Sequence, residues 1–113
     1  MARQIVGGLA AAVRGAKRPP QSITWEREDG EAEDLTGAVL TGWLRSYQTG
    51  AVRPIAGALT VTDGPGGRFL WSYADEDVAE AGEFDVQFNA AYSAGPSPAR
   101  TFPARWVVKL ALG

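Results

Sequence analysis

The chain has 113 residues and a mass of 12.0 kDa, with 45% hydrophobic and 21% charged residues, the make-up of one globular domain with its own core. It has no Cys and no His, which excludes disulfides, thiol chemistry, the usual general base and the usual transition-metal ligand. The net charge of −2 is unevenly placed: residues 1–25 carry four cations and no acid, and residues 26–113 carry seven basic and thirteen acidic groups.

In chain order, residues 1–20 are expected to form an extended basic N-terminal arm ahead of a domain at 21–113. Its apolar residues Ile5, Val6, Leu9 and Val13 offer area to bury, and Arg3, Arg14, Lys17 and Arg18 supply charge. Four spread cations lack the dense basic stripe of a nucleic-acid site. The run "IVGGLAAAV" (5–13) is too short and glycine-interrupted for a spanning helix or a convincing signal peptide, so neither a membrane nor a nucleic acid is expected as a partner. Pro19-Pro20 ends the arm, since proline continues neither a helix nor a central strand.

Period-two patterning follows. "QSITWER" (21–27) aligns Ile23 with Trp25, and the acidic segment "EDGEAEDLTG" (28–37) reads as a turn. "AVLTGWLRS" (38–46) has Val39, Thr41 and Trp43 on one face and Leu40 and Leu44 on the other. "YQTGAVRP" (47–54) reads as a connection and "IAGALTVT" (55–62) as a strand with Ile55, Leu59 and Val61 in phase. "DGPGG" (63–67) is a strong turn signal before "RFLWSY" (68–73), where Phe69, Trp71 and Tyr73 alternate.

"ADEDVAEAGEFDVQF" (74–88) holds six of the thirteen acids, in two parts. Asp75 is expected to cap a helical turn whose positive end Glu76 and Asp77 complement, with Val78 and Ala81 facing the core and Gly82 as C-terminal cap. "EFDVQFNAAY" (83–92) then alternates cleanly, with Phe84, Val86, Phe88, Ala90 and Tyr92 on one side. After the loop "SAGPSP" (93–98), "ARTFPARWVVKL" (99–110) places Phe102, Ala104, Trp106, Val108 and Leu110 in phase. Six to seven short strands, each with one apolar face, predict an all-β antiparallel sandwich with one short helical turn.

No segment carries recognisable catalytic chemistry. The 74–88 acids do not match a calcium loop, because Val78 and Ala79 stand where ligands are needed, and adjacent acids on a turn are ordinarily solvated. The acids of 26–34 read as a solvated connection before a weak calcium site. "DGPGG" lacks the Lys-Ser/Thr ending of a phosphate loop, and no serine has a base to activate it. A carboxylate-pair glycosidase needs two acids across a cleft, whereas these acids lie on turns. The four tryptophans each fall in phase with apolar neighbours and are expected in the core; a carbohydrate- or receptor-binding module instead requires at least two of Trp43, Trp71, Tyr47 and Tyr73 to be exposed and coplanar. No enzyme, cofactor or metal is expected.

"DLTGA" (34–38), the glycine turn before an aromatic strand (64–71), the "D…AG-E-F-x-V-x-F" corner (77–88) and the final strand opening "TFP" (101–103) together resemble the immunoglobulin-like N-terminal domain of siphophage baseplate upper proteins and related small virion proteins. The resemblance covers about residues 21–110. It implies an immunoglobulin-like sandwich without catalytic residues, located in the virion, that packs as a homo-oligomer or against other tail, baseplate or capsid proteins. In that setting the arm residues Arg3, Ile5, Val6, Leu9, Val13, Arg14, Lys17 and Arg18 are expected to tie subunits together. They would dock on an acidic surface formed by Glu28, Asp29, Glu31, Glu33 and Asp34 of a neighbour. A capsid decoration protein is the alternative station in the particle.

Overall fold

The computed structural model describes residues 2–5, 9–27, 30–92, 99–101 and 104–111, those at 2–5 and 99–101 by their backbone. Among these residues ten strands and one turn of 3₁₀ helix follow in order. The strands are β1 (Ala2–Ile5), β2 (Ala12–Val13), β3 (Gln21–Arg27), β4 (Ala38–Ser46), β5 (Val52–Pro54), β6 (Ala58–Asp63), β7 (Arg68–Ser72), β8 (Gly82–Tyr92), β9 (Ala99–Thr101) and β10 (Ala104–Lys109). The helical turn, Asp75–Val78, lies between β7 and β8.

The strands form two sheets packed as a sandwich, so the expected all-β sandwich is what the chain builds. In the larger sheet β8 is central. Its whole outer edge pairs with β4, from Ala38↔Tyr92 to Ser46↔Phe84, and β5 extends β4. On its other edge β8 pairs first with β10 and then with β9. The smaller sheet is β3–β7–β6. β3 serves both sheets: Gln21 to Thr24 pair with β7, and Trp25 to Arg27 pair with β1.

The strand count exceeds expectation for local reasons. Val52–Pro54, read as connection, is a strand because it pairs with Trp43, Leu44 and Arg45 of β4. Ile55 to Gly57, read as strand, is the crossing between the two sheets, and pairing on β7 begins only at Ala58. The loop 93–98 and the residues Phe102 and Pro103 lie outside the described residues.

The described residues among the first twenty lie along the body. β1 sits between β9, to which it is parallel, and β3, to which it is antiparallel, so it is the strand through which the larger sheet meets β3. β2 runs parallel to β10. The Gln21 amide secures the intervening segment: its Oε1 accepts from Ala10 N–H at 2.9 Å, and its Nε2 donates to Ala10 O at 2.8 Å and Tyr73 Oη at 2.9 Å. A buried glutamine is tolerated here because all three of these bonds are made.

The core is aromatic and lies between the sheets. Trp25, Phe69, Trp71, Phe88 and Trp106 are essentially inaccessible, together with Leu35, Leu44, Val78 and Val86. Trp71 is the centre, 4.6 Å from Trp106, 4.9 Å from Tyr73 and 6.0 Å from Phe88 between ring centroids. The edge-on and tilted geometries suit the ring quadrupoles. Leu110, expected in phase, is 69% exposed because β10 ends at Lys109.

Candidate functional site

The acidic segment 74–88 concentrates six carboxylates. Its exposed and buried acids have separate roles. Ala74, not Asp75, is the N-cap residue; Asp75 is on the surface with its carboxylate 3.3 Å from Lys17 Nζ. Asp77 is fully buried, contrary to the expectation of a solvated acid. Its Oδ2 accepts from Gly57 N–H at 2.9 Å, Ala74 N–H at 3.0 Å and Trp71 Nε1–H at 3.1 Å. Its Oδ1 accepts from Ala56 N–H at 2.9 Å and lies 3.8 Å from Arg53 Nη1.

This carboxylate therefore pins the sheet-to-sheet crossing, the core tryptophan and the helical turn at one point. Gly57 is required there by close approach: a Cβ at this position would lie 2.1 Å from Ser72 O and 2.7 Å from Asp77 Oδ2. Val78 is buried as expected and Ala81 is half-buried, while the turn closes at Ala79 in a right-handed conformation. Gly82, with φ of 146°, opens β8 rather than capping the turn. With its oxygens engaged by backbone, indole and guanidinium, Asp77 is a structural joint.

The expected acidic docking surface divides in the same way. Glu31 and Asp34 are exposed, Glu33 is buried, and Glu28 and Asp29 lie outside the described residues. Asp34 Oδ1 accepts from Thr36 N–H at 2.9 Å; bonding from the Thr36 hydroxyl and backbone holds the Asp34 carboxyl below its ordinary value. Tyr92 Oη lies 2.7 Å from Asp34 O and 3.2 Å from Glu33 Oε2. Glu33 is thus drawn inward by β8 and is not presented to a neighbour. Among the described residues no group of three or more acids is placed to hold a metal ion.

Of the arm residues, Leu9 packs against the core and Val13 is 44% exposed. Arg14 Nε donates to Ala79 O at 3.1 Å, Lys17 faces Asp75, and Arg18 is exposed. Arg3 and Ile5 are described as backbone of β1, and Val6 lies outside the described residues.

The accessible constellation is on the outer face of the larger sheet. Trp43 and Tyr47 are 45% and 48% exposed, against complete burial of Trp71 and near-burial of Tyr73. Trp43 departs from the expectation that all four tryptophans are core. Antiparallel partners share a face, and its partner Gln87 lies opposite to Phe84, Val86 and Phe88. Beside Trp43 runs the row Val52, Arg45, Asp85 and Arg105, set side by side by the β5–β4–β8–β10 register.

Arg45 Nη2 donates to Asp85 Oδ2 at 2.5 Å, and Tyr47 Oη donates to Asp85 Oδ1 at 2.9 Å. Arg105 Nη1 donates to Glu83 Oε1 at 2.7 Å, and its guanidinium stacks 4.3 Å from the Tyr47 ring centroid. Burial opposes the Asp85 charge, but bonds from Arg45 and Tyr47 and the charges of Arg45 and Arg105 outweigh it. The Asp85 carboxyl is consequently held below the ordinary aspartate range. Two shallow depressions share this Arg45–Asp85 pair: one of about 180 Å³ is walled by Trp43, Val52 and Gln87, and one of about 420 Å³ by Ser46, Tyr47 and Gly50.

The fold and this face define the chain as an all-β sandwich carrying an aromatic and polar sheet surface. No protein-family model matches the chain, and a search of curated proteins finds no significant relative.

Proposed function

We propose that this protein is a non-enzymatic structural subunit of a tailed-bacteriophage virion, associated with the tail or baseplate. The observation that carries the reading is where the residues of the family-like motifs fall. Among the described residues, each of these motifs is a joint of the sandwich. In "DLTGA", Leu35 is fully buried, its N–H donates to Gly64 O at 2.8 Å, and Asp34 closes the turn into β4. The glycine turn 64–67 links β6 to β7. The 77–88 corner is fixed by Asp77 and continues as the central strand β8. Motifs devoted to packing fit a module whose task is to hold a shape within an assembly.

The N-terminal segment supplies the route to that assembly. β1 fills a slot between β3 and β9, and the same slot in a neighbouring copy would accept it equally. Strand exchange of this kind ties subunits without any new contact chemistry. Because the chain has no Cys, a Gln4→Cys, Glu26→Cys pair reports it directly, these positions being partners in the β1–β3 register. Oxidation in assembled material should give covalent oligomers. The virion assignment itself is tested by mass spectrometry of purified particles and by locating the chain in their density. Absence of the chain from purified particles refutes the assignment, and only monomers after oxidation refute the strand-exchange route.

A further inference from the structure

We infer that the outer face around Trp43 and Tyr47 is a binding site for a neutral oligosaccharide, a recognition function beyond the structural role proposed above and independent of it. The residues present suit that ligand class. A sugar ring offers one apolar C–H face and a rim of hydroxyls that both donate and accept. The site supplies an exposed indole beside planar hydrogen-bonding groups: the Asp85 carboxylate, the Arg45 guanidinium and the Gln87 amide.

Charge selects a neutral ligand. The two cations described beside Trp43 and Tyr47 are each matched by an acid, Arg45 by Asp85 and Arg105 by Glu83. These two pairs carry no net charge with which to attract a phosphate or a uronate, whereas hydroxyls bond well to paired carboxylates and guanidiniums. The paired arrangement also fixes the donors and acceptors before binding. Asp85 is held from both sides by Arg45 and Tyr47, and Arg105 covers one region of the Tyr47 ring, so little side-chain freedom is lost on complex formation.

Spacing selects an oligomer. Trp43 and Tyr47 are four residues apart, roughly 13 Å along an extended chain, longer than a single sugar ring. The two depressions meet at Arg45 and Asp85, which gives adjoining subsites with a shared polar wall and one aromatic each. A protein partner fits less well. Its interface needs roughly 800 Å² on each side with a continuous apolar centre. Here the Arg45–Asp85 row separates Trp43 from Tyr47.

The test is calorimetric titration of the full chain with gluco-, manno- and galacto-oligosaccharides, with tryptophan fluorescence followed in parallel. Polygalacturonate and heparin serve as acidic comparisons. At least one neutral oligomer is expected to bind and to perturb the fluorescence. Trp43→Ala and Asp85→Asn should each weaken it by about tenfold or more, and Trp43→Phe by less. Unaltered thermal unfolding of the Trp43 variants shows that the fold is kept, and the Phe variant preserves the comparison if the Ala variant does not fold. The inference is overturned if no neutral oligomer binds at about 10 mM, if only the acidic polymers bind, or if Trp43→Ala binds as wild type. Concentration-dependent self-association abolished by Trp43→Ala overturns it as well, since the face would then belong to a second copy of the chain.

Discussion

Replacing Asp77 tests the joint that organises the sandwich. Asp77→Ala removes the acceptor for three backbone N–H groups and the Trp71 indole N–H, and leaves Arg53 facing a vacated space. An orphaned buried donor costs about 1–3 kcal/mol. The three backbone donors are only partly buried and the Arg53 side chain is 35% exposed, so the buried Trp71 N–H carries the largest single share; the total expected is about 3–5 kcal/mol. Asp77→Asn is more discriminating because Oδ2 accepts three bonds and Oδ1 one. The amide must turn its oxygen to the three donors, which sets its NH₂ against Ala56 N–H and the Arg53 guanidinium. Its cost should be about 2–3 kcal/mol, below that of alanine. Urea unfolding followed by tryptophan fluorescence measures both, with thermal midpoints falling by about 4 °C or more for each kcal/mol in a domain of this size. A loss below about 1 kcal/mol for Asp77→Ala, or wild-type stability for Asp77→Asn, would refute the assignment of Asp77 as the joint.

Gly57→Ala should destabilise strongly, because its Cβ would meet the Ser72 carbonyl at 2.1 Å and backbone must move to admit it; a urea midpoint equal to wild type contradicts this. The Asp85 carboxyl is held low in the folded chain, so its contribution is complete above the unfolded value of about 3.9 and is lost as pH falls through the folded value. Asp85→Asn should therefore flatten the acid limb of a stability–pH curve below about pH 4, and parallel curves for the two proteins would exclude the effect. Deleting residues 1–13 strips β1 from β3, β2 from β10 and the Ala10 partners from the buried Gln21 amide. A loss of at least about 2 kcal/mol is expected, and an equally stable truncated domain would show the segment to be dispensable for folding. Trp71→Ala should cost about 3–5 kcal/mol while Trp43→Ala stays within about 0.5 kcal/mol of wild type, the two read by the same urea titration.

Residues with strict alternation were legible. Phe84, Val86, Phe88 and Ala90 of β8 and Phe69 and Trp71 of β7 are buried in the phase their spacing requires, and "DGPGG" makes the β6–β7 turn. What escaped were features set by partners distant in sequence. Asp77 is indistinguishable by type from Asp75 two residues earlier; only the approach of Ala56, Gly57 and Trp71 makes one a buried acceptor and leaves the other at the surface. Gln21 was similarly silent, since its value depends on Ala10 and Tyr73 arriving at both ends of its amide. The pairing of β1 with β9 joins positions nearly a hundred residues apart, such as Ala2 with Arg100, and no local pattern announces it. A signal for Asp77 did exist: an acid three residues after the residue preceding a helical turn is placed to bond back to that residue's N–H.

The orientation of Trp43 shows how pairing overrules composition and why the outer face differs from the core. Within β4 the set Val39, Thr41 and Trp43 is bulkier than Leu40, Gly42 and Leu44, so β4 by itself favours burying the tryptophan. Its neighbour decides otherwise. The inward phase of β8 is unambiguous, and the register sets Leu40 against Ala90, Gly42 against Phe88 and Leu44 against Val86. A slip of one residue would expose β8's phenylalanines or turn Arg45 inward against Phe84 or Val86. Gly42 makes the observed register fit: Ile55, entering from the crossing held by Asp77, occupies the space where a Cβ would come within 2.4 Å of its Cδ1. The same acid that secures the core thus helps to turn Trp43 outward, where nothing in the packing of the sandwich requires an indole. The register holds Trp43 at the surface beside the Arg45–Asp85–Tyr47 network, and the proposed sugar site rests on that placement.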